Sequence, residues 1–388
     1  MKYPKRTWAE IDVDALLHNF NSIRQITSGR LAAVVKADAY GHGASFVAPV
    51  LQKAGADMFA VSNIEEAMEL RRCGIIRPVL ILGYTPPEYV RELSEHDIIQ
   101  TVYSLRYAKG LSEHAVAENR QLKCHIKIDS GMSRLGFDCR DDSLCGFDDI
   151  LTVAKLPALN VCGAFTHFSS ADSTNPSDKD YTDGQYDRFC RACAKLEQAG
   201  IRIADKHCCN SAGLMLNSDK HLTMCRPGII IYGLTPADGL TVPLDLIPAM
   251  SFKSTVSLVK KLRKGDCVSY GRHFCANREM TVATVAAGYA DGYPRLLSNK
   301  GQVLINGRRA DILGNVCMDQ MMVDVSGIEN VHEGTEVTLF GRELPVEELA
   351  ALCNTINYEL ICGVSRRVPR IYTSEGREIA LVNHLLDK

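Results

Sequence analysis

The sequence carries no surplus of positive charge: 44 Lys and Arg stand against 46 Asp and Glu, a formal net charge of −2. Nothing is left over to neutralise a phosphate backbone or to dock on an anionic bilayer, so nucleic acid and membrane are not expected partners. Long apolar runs are missing too. Stretches such as Gly228 to Leu234 and Thr281 to Gly288 fall well short of the roughly 20 residues that span a bilayer. The opening MKYPKRTWAEID has basic residues with no apolar segment behind them, so no secretory signal is expected and the protein is assigned to the cytoplasm. Fifteen Cys in 388 residues are too sparse for a disulfide scaffold, and a reducing compartment keeps thiols free. They are therefore expected mostly as small core hydrophobes. No metal is expected. Cys190 and Cys193 make one CxxC, and the consecutive His207, Cys208 and Cys209 lack the second spaced pair that a structural zinc site needs. P-loop and GxSxG motifs are absent, and the GHG at 41–43 is no dinucleotide fingerprint because Phe46 fills its sixth position. There is no internal repeat and no low-complexity segment.

What is present is alternation. Short β-branched runs recur with helix-like stretches between them: LAAVVK (31–36), DMFAVS (57–62), PVLILG (78–83), IQTVYS (99–104), CHIKID (124–129), VCGAFTHF (161–168), IADKHCC (203–209) and PGIIIYGL (227–234). Ile64 to Cys73 and Tyr186 to Ala199 show the apolar spacing of intervening helices. Eight strand and helix units exceed the five or six strands of an open doubly wound sheet and predict a (β/α)8 barrel of the TIM type. The STNPSDKD segment around Asn175 to Ser177 reads as a polar surface loop.

After Pro236, Gly239, Pro243 and Pro248 the texture changes to closely spaced runs without long helices. Strands are expected at Ser251 to Leu262, Thr281 to Ala287, Gln302 to Ile305, Gln320 to Val325 and Glu336 to Phe340, with one helix over Val346 to Asn354. The chain thus divides into an α/β barrel over 9–241 and a mainly β domain over 242–388 that includes 1–8.

Barrels place chemistry at the C-terminal ends of their strands. Lys36 ends the first run, before a Gly-rich turn in VVKADAYGHG. Lys127 lies in the fifth run, with Arg134 just after it in KIDSGMSRLG, and His167 ends the sixth in FTHFSSAD. His207, Asn210 and Ser211 follow the seventh in HCCNSAG, and Arg226 opens the eighth. Singly, each has a structural explanation, since a strand-end lysine reaches for water and a strand-end histidine settles at the rim. Five or six polar groups on different strands at one rim are harder to explain that way. A lysine on the inner side of an apolar strand loses hydration, its pKa falls, and its amine becomes a nucleophile able to form a Schiff base. With phosphate-capable donors nearby (Ser211, Tyr40 and the backbone of Gly228 and Ile229) it points to pyridoxal 5′-phosphate.

These segments together resemble the bacterial alanine racemases, PLP-dependent enzymes with a barrel followed by a β domain. The resemblance runs from TWAEID to RVPRIY through VVKADAYGHG, KIDSGMSRLG, THFSSAD, NSAG, RPGIIIYG, VSYG, AAGYADGYPR, NVCMDQ and TINYE. It implies that Lys36 holds the cofactor and that Tyr270, in VSYG, is the second base. It implies phosphate contacts from Tyr40, Ser211, Gly228, Ile229 and Tyr358, with His167 and Asn210 also at the cofactor. Arg226 would meet the pyridine nitrogen, with His207 behind it bridging to Tyr270. Arg134 would contact the phenolic oxygen, a carbamylated Lys127 would pair with Arg134, and Met318 would offer its backbone N–H to the substrate carboxylate. Tyr289, Arg295, Asp172 and Ile356 would narrow the entrance. Tyr270, Tyr289 and Met318 would come from the partner in a head-to-tail homodimer, and the product D-alanine would feed peptidoglycan.

Inversion at a carbon needs a proton removed from one face and returned to the other, and one base cannot reach both. A phenol with a pKa near 10 also needs neighbouring positive charge or hydrogen bonds to act near neutrality. Two departures stand out. Asn315 precedes VCMDQ where many relatives have Arg, and Ser133 replaces a frequent Gly. The alternatives are a serine or broad-specificity racemase, a PLP-dependent decarboxylase, and a non-catalytic PLP-binding protein. The decarboxylase would put an acidic residue, not Arg226, at the ring nitrogen, and the binding protein would lack the β domain.

Overall fold

A computed structural model describes residues 5–141, 143–237, 239–240 and 243–386. Eight parallel strands form a nearly closed barrel: Arg30–Val34, Met58–Val61, Val79–Ile81, Ile98–Val102, Leu122–Asp129, Leu159–Phe165, Asp205–His207 and Met224–Cys225. The eighth returns to pair with the first. Thr223 and Lys206 close the remaining seam, with Lys206 N donating to Thr223 Oγ1 at 2.7 Å and Thr223 N to Lys206 O at 3.2 Å. Most of the strand residues are buried and apolar, as suits parallel strands wrapped by helices, with polar exceptions such as His125, Lys127, Asp205 and His207. Helices start where the sequence can cap them. Asn63 accepts from Glu66 N, Glu65 and Glu66 lie in the first turn of Ile64–Arg72, and Arg71 and Arg72 lie in the last, each matching the helix dipole.

Two expectations about the barrel need correction. PGIIIYGL is not a strand: Ile229–Tyr232 is a buried 3-10 turn running from Gly228 to a left-handed Gly233. A run that is apolar on every side reports burial rather than strand period. The eighth strand is the two-residue Met224–Cys225 just before it, so Arg226 follows that strand instead of opening it. STNPSDKD is a helix start rather than a loop. Asn175 accepts from Ser177 N, and Pro176 occupies the first turn of Pro176–Gln198, a position that needs no N–H.

The second sheet contains Met250–Leu262, Met280–Val285, Gln302–Ile305, Arg308–Asp311, Met321–Asp324, Glu336–Phe340, Arg370–Ser374 and Arg377–Val382. Thr7–Asp12 is an interior strand of the same sheet, antiparallel to Met250–Leu262 and parallel to Arg370–Ser374. Five of these strands lie where the sequence places them. Arg308–Asp311, the two C-terminal strands and a second helix, Asn357–Cys362, are additions. The expected boundary at 241/242 lies outside the described residues. Among the described residues no helix is long and apolar enough to cross a membrane.

Cys124, Cys139, Cys193, Cys208, Cys209, Cys225 and Cys353 are buried, as core hydrophobes should be. The free-thiol expectation fails at one place. Cys267 and Cys275, opposite each other in a small hairpin, are disulfide-bonded, because direct cross-strand partners bring their side chains together.

Candidate active site

A cavity of about 650 Å³ opens at the C-terminal ends of the barrel strands. Lys36 enters it from the turn after the first strand, and this turn is unusual. Ala37, Asp38, Ala39 and Tyr40 all have φ between 52° and 55°, a left-handed run that L-residues adopt at a cost of roughly 1–2 kcal/mol each. Neighbouring groups hold it. Glu66 accepts from Ala37 N and Ser62 N, both at 2.7 Å, and Asp38 Oδ1 accepts from Ala44 N at 2.7 Å. From the β domain, Arg370 donates to Gly41 O and Tyr372 to His42 O, both at 3.0 Å. Gly43, at φ 90°, leaves room for the Tyr372 hydroxyl. Burial and the charge of Arg134 both lower the Lys36 pKa.

One end of the cavity is a small polar cradle. Gly228 N donates to Ser211 Oγ at 2.9 Å, and a Cβ on Gly228 would lie 2.7 Å from the Tyr40 hydroxyl. Tyr358, carried in by helix Asn357–Cys362, stands 6.0 Å from Tyr40 between ring centres. Ile229 also lines this end, while Asn210 caps Ser211–Leu216 by accepting from Gly213 N. Burial raises the pKa of both tyrosines, so they remain neutral hydroxyls.

The floor is built in register across three strands: Lys127 pairs with Phe165, and Phe165 with His207. The His207 ring stacks on Phe165 at 4.9 Å, with Lys127 Nζ and the Arg226 guanidinium each 5.3 Å from the same ring. Arg226 Nη1 lies 2.7 Å from His207 Nδ1, while Nη2 donates to Thr166 O at 2.8 Å and approaches His167 Nδ1 at 3.3 Å. Burial, helped by Arg226, pushes Lys127 down to about 7 and holds His167 and His207 neutral. One implied role does not fit. His207 Nε2 lies 3.0 Å from His125 Nδ1, so both His207 nitrogens are committed inside the barrel and neither can bridge to Tyr270. His167, which lines the cavity, is the better placed histidine.

Arg134, Asp172 and Ile356 line the cavity. Tyr270, Tyr289 and Met318 do not. They are 74%, 42% and 53% exposed on the β domain, and Arg295 is exposed as well. The three share one neighbourhood: Asn315 Nδ2 donates to Tyr270 O at 2.8 Å, Ser269 Oγ donates to Asn315 O at 2.7 Å, and Tyr289 N donates to Cys317 O at 3.0 Å. Asn315, one of the two departures, thus supports the Tyr270 loop. The other, Ser133, takes the left-handed φ of 57° that a glycine would favour.

Sequence reasoning missed Glu66, Arg370 and Tyr372, the supports of the Lys36 turn. The RVPRIY segment was visible, but nothing local said that its Arg and Tyr reach back some 330 positions.

Comparison with known proteins accords with this geometry. The alanine racemase N-terminal domain family matches residues 11–236 and the C-terminal domain family residues 249–372. An alanine racemase of Clostridium tetani is 44% identical over 391 residues, covering 99% of this chain and 100% of that protein. One from Desulforamulus reducens is 44% identical over 376 residues, covering 96% and 100%. Among solved structures, alanine racemase from Clostridium difficile superposes with a TM-score of 0.94 at 40% identity, covering 99% of this chain and 100% of that one. The Bacillus anthracis enzyme, described with bound L-Ala-P, gives 0.91 at 36% identity and covers 99% of each. The chain therefore belongs to the alanine racemase family and is a pyridoxal-phosphate-dependent amino-acid isomerase.

Proposed function

We propose that the enzyme interconverts L- and D-alanine with Lys36 and Tyr270 as proton carriers on opposite faces of one substrate carbon, and that Tyr270 is delivered by a second copy of the chain. The observation that carries this reading is a separation. Lys36 opens into the cavity, whereas Tyr270, Tyr289 and Met318 form an exposed patch on the other domain. A head-to-tail homodimer would bring each patch to the partner's cavity.

The cavity fits pyridoxal 5′-phosphate. The bare backbone of Gly228, with Ser211, Tyr40, Ile229 and Tyr358 around it, suits the phosphate. Arg226 would face the ring nitrogen and Lys36 would hold the group covalently, with His167 and Asn210 beside it. When bound, the cofactor supplies a sink for the electron pair left as the α-proton departs. Lys36, its pKa lowered by burial, takes or returns that proton at Nζ on one face. Tyr270 does so at its hydroxyl on the other, where His167 and Arg226 would help to hold the phenolate. Because a guanidinium only donates, Arg226 would leave the ring nitrogen of a bound cofactor unprotonated, making it a weaker sink and restraining side reactions. Arg134 and the Met318 N–H would orient the substrate. Lys127, at about 7, offers the neutral amine that carbamylation requires. We assign the enzyme to the cytoplasm and to the supply of D-alanine for peptidoglycan, as the family resemblance implies.

The test is to add L-alanine to the holoenzyme and follow optical rotation together with solvent deuterium at the α-carbon. Loss of rotation with α-deuteration is expected, and neither would occur in a binding protein. If kcat/KM for serine equals or exceeds that for alanine, the serine or broad-specificity reading replaces this one.

A further inference from the structure

A line of buried polar groups leaves Arg226 and runs down the barrel interior, and its lower half takes no part in the chemistry above. Arg226 Nη1 is 2.7 Å from His207 Nδ1, and His207 Nε2 is 3.0 Å from His125 Nδ1. His125 Nε2 is 3.5 Å from Asp205 Oδ2, and Asp205 is paired with Arg30. Both imidazoles are fully buried. The strands dictate this stacking. His125 and Lys127, like Asp205 and His207, are two apart and so share a face. The row His125, Gly163, Asp205 lies in register beneath the row Lys127, Phe165, His207. Gly163 is the gap that lets the ring across, since a Cβ there would sit 2.5 Å from His125 Nε2.

Only one proton arrangement fits the contacts from Arg226 through His207 to His125 Nδ1. A guanidinium has no acceptor, so His207 Nδ1 must carry the lone pair. A neutral His207 then has its proton on Nε2, and that proton can go only to a lone pair on His125 Nδ1. His125 in turn carries its proton on Nε2, which makes no hydrogen bond among the described residues and has the Asp205 carboxylate 3.5 Å away. Burial keeps both rings neutral and pushes His125 down to about 3.

We propose that His125, with the Asp205 carboxylate beside its Nε2, is a positioning residue for Arg226: by accepting a hydrogen bond from His207 Nε2 at its own Nδ1 it fixes the one tautomer that gives the guanidinium an acceptor. Its catalytic consequence rests on the reading of Arg226 as the residue at the ring nitrogen; the tautomer itself does not.

The experiment is nitrogen NMR of holoenzyme labelled in its histidine rings. His125 and His207 should both show a protonated Nε2 and a bare Nδ1, unchanged from about pH 5 to about pH 8, the range in which a free imidazole titrates. A proton on Nδ1 of either ring, or titration of either in that range, overturns the proposal without any variant. His125→Asn keeps an acceptor near the Nδ1 position and should preserve the His207 pattern. His125→Leu should lose it and lower kcat by about tenfold with KM little changed, as releasing an outer partner of a fixed side chain does. An unchanged His207 tautomer in His125→Leu overturns the positioning whatever the rate. A changed tautomer with kcat and KM untouched supports the positioning and counts against Arg226 at the ring nitrogen.

Discussion

Lys36 and Tyr270 both stand beside left-handed backbone, but in opposite surroundings. Beside Lys36 the run Ala37 to Tyr40 is closed over by Arg370, whose guanidinium also reaches Ser365 O and Val368 O at 2.6 Å and Val364 O at 2.8 Å. Beside Tyr270, Ser269 has φ 65° and Arg272 φ 52°. That loop is exposed and rests on Asn315 and on the Cys267–Cys275 bridge at its base. Strain persists only where surroundings over-determine it. The lysine turn is over-determined within one chain. The tyrosine loop is pinned at its ends and left open at its tip, as suits a group that finishes a neighbour's site.

The strongest test of this contrast removes each group in turn. Lys36→Ala and Tyr270→Phe should each lower kcat by about 10²–10⁴-fold, the range for a lost general acid or base. Mixing the two inactive proteins should restore about a quarter of wild-type activity, since half of the randomly paired dimers rebuild one of two sites. No recovery after verified subunit exchange would defeat the shared site.

Arg226→Glu places an acidic group where a donor stood. We expect transamination to rise relative to racemisation, measured as pyruvate formed per turnover; an unchanged ratio would remove Arg226 from the ring nitrogen.

Gly43→Ala should sharpen the contrast in stability. A Cβ at φ 90° meets the Tyr372 hydroxyl, and a strained non-glycine site costs about 1–3 kcal/mol. The urea midpoint should fall accordingly, and should fall less for Gly271→Ala, which also has positive φ (74°) but whose Cβ would meet only the exposed His273 side chain.

Acid should act on the lysine turn as well as on the buried barrel histidines. His42, fully buried under this turn, is held at about 4 against an ordinary 6.5. Between those values the unfolded chain binds the proton and the folded one does not, so stability falls as pH drops from 6.5 toward 4. A His42→Gln variant should show a shallower loss over that window, checked by urea unfolding at stepped pH. The smallest effect is expected from Asn315→Ala, which removes one exposed hydrogen bond worth about 0.5–1.5 kcal/mol. It should change KM by a few-fold and leave the melting temperature nearly unmoved.

Seven barrel strands could be read from β-branched runs because parallel strands are buried on both faces. The eighth could not, since two residues carry no period and the isoleucines beside them mimic a strand. Lys36, Lys127, His167 and Arg226 were readable because barrel chemistry gathers at strand ends. Glu66, His125, Asp205, Arg370 and Tyr372 were not, because their meaning lies in partners across the sheet or at the far end of the chain. The His207 assignment failed for the same reason: its second nitrogen is answered by His125, 82 positions earlier.

Thr7–Asp12, an interior strand of the C-terminal sheet, precedes the barrel in the chain but pairs only with strands that follow it. Its two neighbours, Met250–Leu262 and Arg370–Ser374, emerge only after the whole barrel. During translation this segment must wait unpaired while the whole barrel is made, a long-range closure of the slow kind. Cutting the gene at the linker would therefore not yield two independent modules, because the β half would lack its keystone and the barrel half would keep a sticky leading ribbon.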